Sequence, residues 1–367
     1  MKVFKSLATV AVVSALAPSL ALAQMPETSG QADMQVTPAT RQQLITSLSN
    51  EIRNSYVFPD IAKNVSAELL KRHQRGAYDN INSAKQLSAT LTKDLQAMSK
   101  DRHLQVMYSA HAIPVNQVHS EPTSSEVAST LAMMRSNNFG VEKIERLPLN
   151  IGYLNLVGFA PAKEAAETLA AAMTVIAHTD ALIIDMRDNF GGQAATSTLL
   201  ASYLLDKRTH LGDFYYREGN RIEQRWSSDV VPGLHYGSKK DVYILTSRDT
   251  FSAGEDFTYA LKNLRRATVV GETTGGGANA GDNKRLLPNF SAFIPLSRLI
   301  NPVTRTNWEG IGVTPDISVC AADALRTAQV AILKRMANVE ADPGKLSGLK
   351  DRIGELEKAS SAGTDCP

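Results

Sequence analysis

From Leu147 onward the chain alternates short apolar runs with longer helical stretches, an order that few folds accommodate. The runs IGYLNLVGF, ALIIDM, VYILTS and TVVGE are separated by helical patterns beginning near Pro161, Gln193 and Ser252. Strands that are apolar throughout are buried on both faces, which calls for a largely parallel sheet with helices on either side. The expected fold class is therefore α/β over residues 147–338. FYYREGNRIEQRW interrupts the alternation and reads as an antiparallel hairpin turning at Gly219-Asn220. Helices at Ala321–Met336 and Lys345–Lys358 follow, with residues 339–367 forming a C-terminal helix and tail.

The first part of the chain has a different character. Residues 1–23 read as a secretory signal, in which Lys2 and Lys5 precede the apolar run Leu7–Ala17 and Ala21-Leu22-Ala23 supplies a cleavage site. The apolar run is too short to span a bilayer. The expectation is an exported protein, periplasmic or secreted, with no stable membrane anchor after cleavage. Residues 24–36 are polar and aperiodic, a mobile lead-in. Thr37-Pro38 then opens a helix carrying Leu44, Leu48, Ile52 and Tyr56, and two more helices follow with Ile61, Val65 and Leu69, then Leu87, Leu91 and Leu95. With the strand-like DRHLQVMYS they make a small helical subdomain over 37–109, too small to be stable unless packed on the later part of the chain. Residues 110–146 read as a linker with a short helix near Ser125–Arg135.

Removing residues 1–23 leaves 37 basic and 37 acidic side chains, a balance that argues against nucleic acid or an anionic membrane as partner. In an exported protein the two cysteines, Cys320 and Cys366, could close a disulfide; two unpaired thiols are the alternative. No CxxC, HExxH or Cys/His cluster is present, so neither metal nor cofactor is expected.

Two residues stand out for chemistry. His103 follows Asp101 in a turn before an apolar strand, whereas the other histidines fall in polar helix ends or loops. Ser252 lies where VYILTSRDTFSAGED passes from a strand through a loop into a helix. A serine there has unpaired backbone N–H groups beside it, which could hold an oxyanion. Ser252-Ala253-Gly254-Glu255 is equally a capping box that satisfies only the helix's own donors. Two glycine turns follow strands, RDNFGG with Gly191 and Gly192, and GETTGGG with Gly275, Gly276 and Gly277. Neither has phosphate-loop spacing, but both permit the close backbone approach that an oxyanion hole or a peptide-binding groove needs.

The ordered set DRHLQV, IGYLNLVGF, ALIIDMRDNFGG, VYILTSRDTFSAGEDF, ATVVGETTGGGA and NWEGIGVTPDI resembles the C-terminal-processing (tail-specific) peptidase family. The likeness is greatest to the branch with tricorn core proteases and the repeats of interphotoreceptor retinoid-binding protein. It implies a crotonase-like ββα domain joined to a helical N-terminal subdomain, without a PDZ module. It also implies an exported serine peptidase acting on peptide or protein substrates through an acyl-enzyme, with Ser252 as nucleophile, His103 as general base and Glu309 as the supporting carboxylate. Ala253 and one of Gly191 and Gly192 would supply the oxyanion-hole N–H groups, and Gly275–Gly277 would line the substrate groove. Gly276 stands where serine/lysine-type relatives carry a catalytic lysine, and Arg102 where tricorn-like sites have a serine. The alternative on the same fold is a non-catalytic binding module for an apolar ligand or peptide. N-terminal sequencing of exported protein should return Gln24 as the first residue; recovery of intact Met1 only in the cytoplasm would overturn the signal assignment.

Overall fold

A computed structural model of the chain describes residues 31–114 and 124–358. The signal segment, most of the lead-in, part of the linker and Cys366 lie outside the described residues. Helix α1 (Pro38–Ser55) starts where expected: Thr37 caps it by accepting from the Thr40 N–H, and proline occupies its first turn. Leu44, Ile45, Leu48 and Ile52 form its buried face. Helices α2 (Pro59–Gln74) and α3 (Ala84–Ser99) follow, α3 ending at Lys100 in the left-handed conformation. That turn reverses the chain through Asp101 and His103, so the expected strand begins only at β1 (Gln105–Tyr108).

Helix α4 (Ser124–Ser136) lies in the segment read as a linker, but the linker ends earlier than expected. Strand β2 (Val141–Leu147) pairs antiparallel with β3 (Ile151–Leu156). Its sequence, VEKIERL, is mostly exposed or half-buried, because an edge strand buries little, and it therefore reads as polar linker.

The main sheet contains β2, β3, β4 (Ala181–Asp185), β7 (Asp241–Thr246), β8 (Thr268–Gly271) and β11 (Ile317–Ser318). Their spatial order is β11-β8-β7-β4-β3-β2, parallel throughout except at the β2 edge. Alternate residues serve the two faces. Leu182, Ile184, Val242 and Ile244 pack with α5 (Ala162–Ile176), α6 (Ala194–Tyr203) and α7 (Ala253–Asn263). Ala181, Ile183, Tyr243 and Leu245 pack with α8 (Ala321–Ala337) and α9 (Pro343–Lys358). This mixed α/β sheet is the architecture the alternation demanded. Cys320 caps α8 and is disulfide-bonded.

Of the second sheet the sequence reading contains only the strand β1 and the hairpin of β5 (His210–Tyr216) and β6 (Arg221–Trp226). Strands β9 (Asn279–Leu287) and β10 (Phe290–Ile300) leave the α/β segment and carry β1 and β5 on β10, in the order β1-β10-β5-β6. Leu286, Phe290, Ala292 and Ile294 share one core with the buried faces of α1, α2 and α3. The N-terminal helices are thus not a unit of their own; they complete their core with strands from nearly two hundred positions later in the chain. Among the described residues no helix is long and apolar enough to cross a membrane.

Because Phe290 is fully buried in this shared core, Phe290→Ala should cost about 3–5 kcal/mol and shift one cooperative unfolding transition. Far-ultraviolet circular dichroism and Trp308 fluorescence should report the same midpoint; separate midpoints would mean that the helices unfold independently.

Candidate active site

Both glycine turns and Ser252 lie just beyond the carboxyl ends of the parallel strands β4, β7 and β8, where open α/β sheets place their binding crevices. Ser252 itself has φ +53° and ψ −117°. A non-glycine residue in that region is strained, and such strain concentrates at functional sites. The backbone on either side is clamped: the Phe251 N–H donates to the Asn189 carbonyl at 2.9 Å, and the Ser252 N–H donates to Glu255 Oε2 at 2.9 Å. The Glu255 half of the capping box read from the sequence is therefore present, while among the described residues no hydrogen bond to Ser252's own side chain caps the helix, and the serine at the helix start is half-buried.

Gly191 is pressed against the serine. A Cβ at Gly191 would lie 2.7 Å from that of Ser252, and one at Gly192 would lie 2.2 Å from the Phe159 carbonyl oxygen. The Gly191 N–H, however, donates to Asn189 Oδ1 at 2.9 Å, which removes it from the expected oxyanion donors. The N–H groups of Ala253 and Gly192 have no partner among the described residues.

The second glycine turn also differs from expectation. Gly275 N–H donates to the Thr250 carbonyl, and the Gly276 and Gly277 N–H groups donate to Glu255 at 2.7 and 2.8 Å. Their carbonyls accept from Arg102, Gly310 and Trp308 respectively. With every backbone polar group engaged inside the chain, Gly275–Gly277 brace the site and offer no free edge to line a substrate groove. Gly277 has a steric role instead: a Cβ there would meet Phe251 at 2.3 Å and His103 Cε1 at 2.6 Å.

The His103 imidazole packs on the Phe251 ring at 4.6 Å between centroids, one residue before the serine, and on Phe293 at 5.7 Å. No hydrogen bond joins it to Ser252 among the described residues, as is common before substrate closes a site. Burial, reinforced by the neighbouring Arg102, pushes its pKa down to about 4, so the ring is a neutral base at physiological pH. Arg102 turns away from the acidic groups and donates to the Gly275 carbonyl at 2.5 Å.

Behind the imidazole lie Glu309 and a residue that the sequence did not single out, Asp101. One ligating atom of each of Asp101, His103 and Glu309 falls within 4.8 Å of the other two. Asp101 Oδ1 accepts the His103 N–H at 2.9 Å, while Oδ2 accepts from Tyr56 Oη and Asn279 Nδ2, each at 2.9 Å. Glu309 Oε2 accepts from the Ala278 and Asn279 N–H groups at 2.6 and 3.0 Å. Burial, with the Asp101 charge beside it, pushes the Glu309 carboxyl up to about 8, and burial raises Asp101 as well. Lys284 lies on β9 opposite Ala292 and has no hydrogen bond to any site residue.

Known proteins resemble the chain in both of its halves. The profile described as peptidase family S41 matches residues 150–319, and that of the N-terminal domain of peptidase S41 in eukaryotic IRBP matches residues 35–142. A chloroplastic carboxyl-terminal-processing peptidase 2 of Arabidopsis thaliana is 28% identical over 171 residues, covering 45% of this chain and 31% of its own. The chain spans 31–40% of the length of the curated relatives it matches. In fold it resembles a candidate peptidase of Parabacteroides merdae, with TM-score 0.54 and 21% identity over 88% of this chain and 99% of the other. It also resembles the tricorn protease, with TM-score 0.51 and 14% identity over 87% of this chain and 37% of the other.

A folded Glu309 that titrates near 8 rather than 4.5 binds more protons than the unfolded chain between those values, so it makes stability fall as pH rises through that window. Glu309→Gln removes this dependence. Its stability relative to the parent should therefore increase from pH 4.5 to pH 8 in denaturant titrations; parallel curves would show that Glu309 titrates normally.

Proposed function

The chain belongs to peptidase family S41, and from that premise we propose that it is an exported serine-type peptidase that hydrolyses peptide bonds through an acyl-enzyme, with Ser252 as nucleophile and His103 as base. The observation that carries this reading is the strained Ser252 backbone at the start of α7, beside the unpartnered Ala253 and Gly192 N–H groups, with the His103 ring packed on Phe251 next to it. The parallel strand–loop–helix frame around it fits the crotonase-like ββα arrangement. The signal-like residues 1–23 support export.

In the proposed reaction Ser252 Oγ attacks the scissile carbonyl carbon while its proton passes to His103 Nε2. Negative charge gathers on the carbonyl oxygen, towards the Ala253 and Gly192 N–H groups. His103 returns the proton to the leaving amine, and an acyl-serine remains. Water then attacks that ester with His103 again as base, releasing the acid and restoring Ser252. Asp101 fixes the His103 backbone, and Glu309 faces the imidazolium as it forms; both are positioning residues. Glu255 stays outside the proton path, because its carboxylate is occupied by Ser252, Thr274, Gly276 and Gly277.

Ser252→Ala should abolish fluorophosphonate labelling and lower kcat/KM on a fluorogenic peptide by about 10⁴-fold or more. Lys284→Ala should leave both largely intact. Equal loss in the two variants would replace His103 by a lysine base, and absence of labelling in the parent would favour a binding module.

A further inference from the structure

The space behind the imidazole has an imbalance that the peptidase reading does not use. His103 Nδ1, Glu309 Oε1 and Asn279 Oδ1 are all buried without a hydrogen-bond partner. His103 is only 9% exposed and Asn279 is fully buried. Asn279 Oδ1 is an acceptor, while Glu309 Oε1 and His103 Nδ1 each offer a lone pair to a ligand once their proton is displaced. The nearby donors are already committed. Tyr56 Oη and Asn279 Nδ2 serve Asp101, the Ala278 and Asn279 N–H groups serve Glu309, and Arg102 serves Gly275. Buried polar atoms without partners are costly, and a cation that binds their lone pairs in place of protons removes the cost.

We propose that Asp101, His103 Nδ1 and Glu309, with Asn279 Oδ1 beside them, form an inhibitory site for a divalent transition cation, with Zn²⁺ as the preferred ion. One imidazole and two carboxylates suit Zn²⁺ better than the all-oxygen sets taken by Mg²⁺ or Ca²⁺. Two carboxylates also neutralise the dication. The ligating atoms fall within 4.8 Å of one another, and bonds of about 2.0–2.2 Å require only a modest contraction of that group. The arms are pre-positioned: Asp101 and His103 share one turn closed by the His103 N–H, and Glu309 is held by two backbone N–H groups. Tyr56 and Asn279 orient Asp101 from outside, as outer partners do in metal sites.

The effect on the reaction comes from the tautomer. A neutral imidazole bound to metal through Nδ1 carries its one proton on Nε2, so it has no lone pair there to accept the Ser252 proton. Metal binding therefore switches the base off, and release restores it. This consequence rests on His103 being the base; the site itself does not.

The test uses Ser252→Ala protein, titrated with Zn²⁺ by calorimetry and with Co²⁺ by visible absorption. The expected result is one equivalent bound, a Co²⁺ ligand-field band, and affinity lower by about tenfold or more after Glu309→Gln or Asp101→Asn is added. His73→Gln, at a half-buried histidine of α2 whose Nε2 bonds Gln42 Oε1, should change nothing. The Asp101 variant is decisive only if folded, and the near-isosteric Glu309 variant covers that case. Parent enzyme should lose peptidase activity with Zn²⁺ and recover it with a chelator. Absence of saturable binding, or unchanged affinity in both ligand variants, would overturn the site. Saturable binding by a protein that proves to have no peptidase activity would uphold the site and overturn the catalytic reading.

Discussion

One buried carboxylate holds the centre of this molecule together. Glu255, with no exposed surface, accepts hydrogen bonds from the Ser252 N–H, the Thr274 hydroxyl and the N–H groups of Gly276 and Gly277. Thr274 Oγ1 also accepts from the Val313 N–H at 2.7 Å, so the chain segment beyond Glu309 hangs from the same point. Burial pushes Glu255 up to about 7 even against these four donors, which lower it. The carboxylate thus fixes three segments distant in sequence at one helix N-terminus, and the strained serine backbone persists because its surroundings leave it no alternative.

The proposed base reaches this centre from the other half of the fold. His103 sits in the turn between α3 and β1, and β1 hydrogen-bonds to β10 rather than to the parallel sheet. Its position relative to Ser252 therefore depends on the core shared by the N-terminal helices and β10, and on Asp101, which links Tyr56 at the end of α1 to Asn279 at the start of β9. Packing far from Ser252 and His103 thus sets their alignment, and in the proposed reaction alignment is what proximity catalysis is most sensitive to.

These dependencies explain which parts of the fold could be read from sequence. The parallel strands are apolar on both faces and announce themselves; so do α1 and α3, which carry Thr37 and Ser83 as caps. Strand β2 was missed because an edge strand of alternating charge looks like linker, and β10 because Pro295 breaks a run that is tolerated only at a bulge. Ser252 and His103 stand out from motif context, and the structure puts the His103 ring against Phe251, the residue preceding the serine. Asp101 was visible as a residue two positions before the histidine, but its role comes from Tyr56 and Asn279, contacts that no local pattern encodes. The same holds for the glycine turn, whose apparent openness disappears once Glu255 is seen to take its N–H groups.

The absence of a lysine from that turn then has a physical basis in this chain. Gly276 has φ +85°, and a Cβ there would lie 3.2–3.3 Å from backbone atoms of Gly310, Ile311 and Gly312. Its N–H is bound to Glu255 and its carbonyl to the Gly310 N–H, so the backbone cannot rotate to relieve a side chain without breaking the clamp on Ser252. A lysine placed there would be strained in conformation and crowded by backbone on one side. The clamp that holds the serine in its strained geometry thus excludes the side chain that would serve as its base in a serine/lysine site, and the reaction proposed above takes its base from the turn between α3 and β1. His103, held neutral by burial, is that proposed base, and through β1 its position depends on the second sheet.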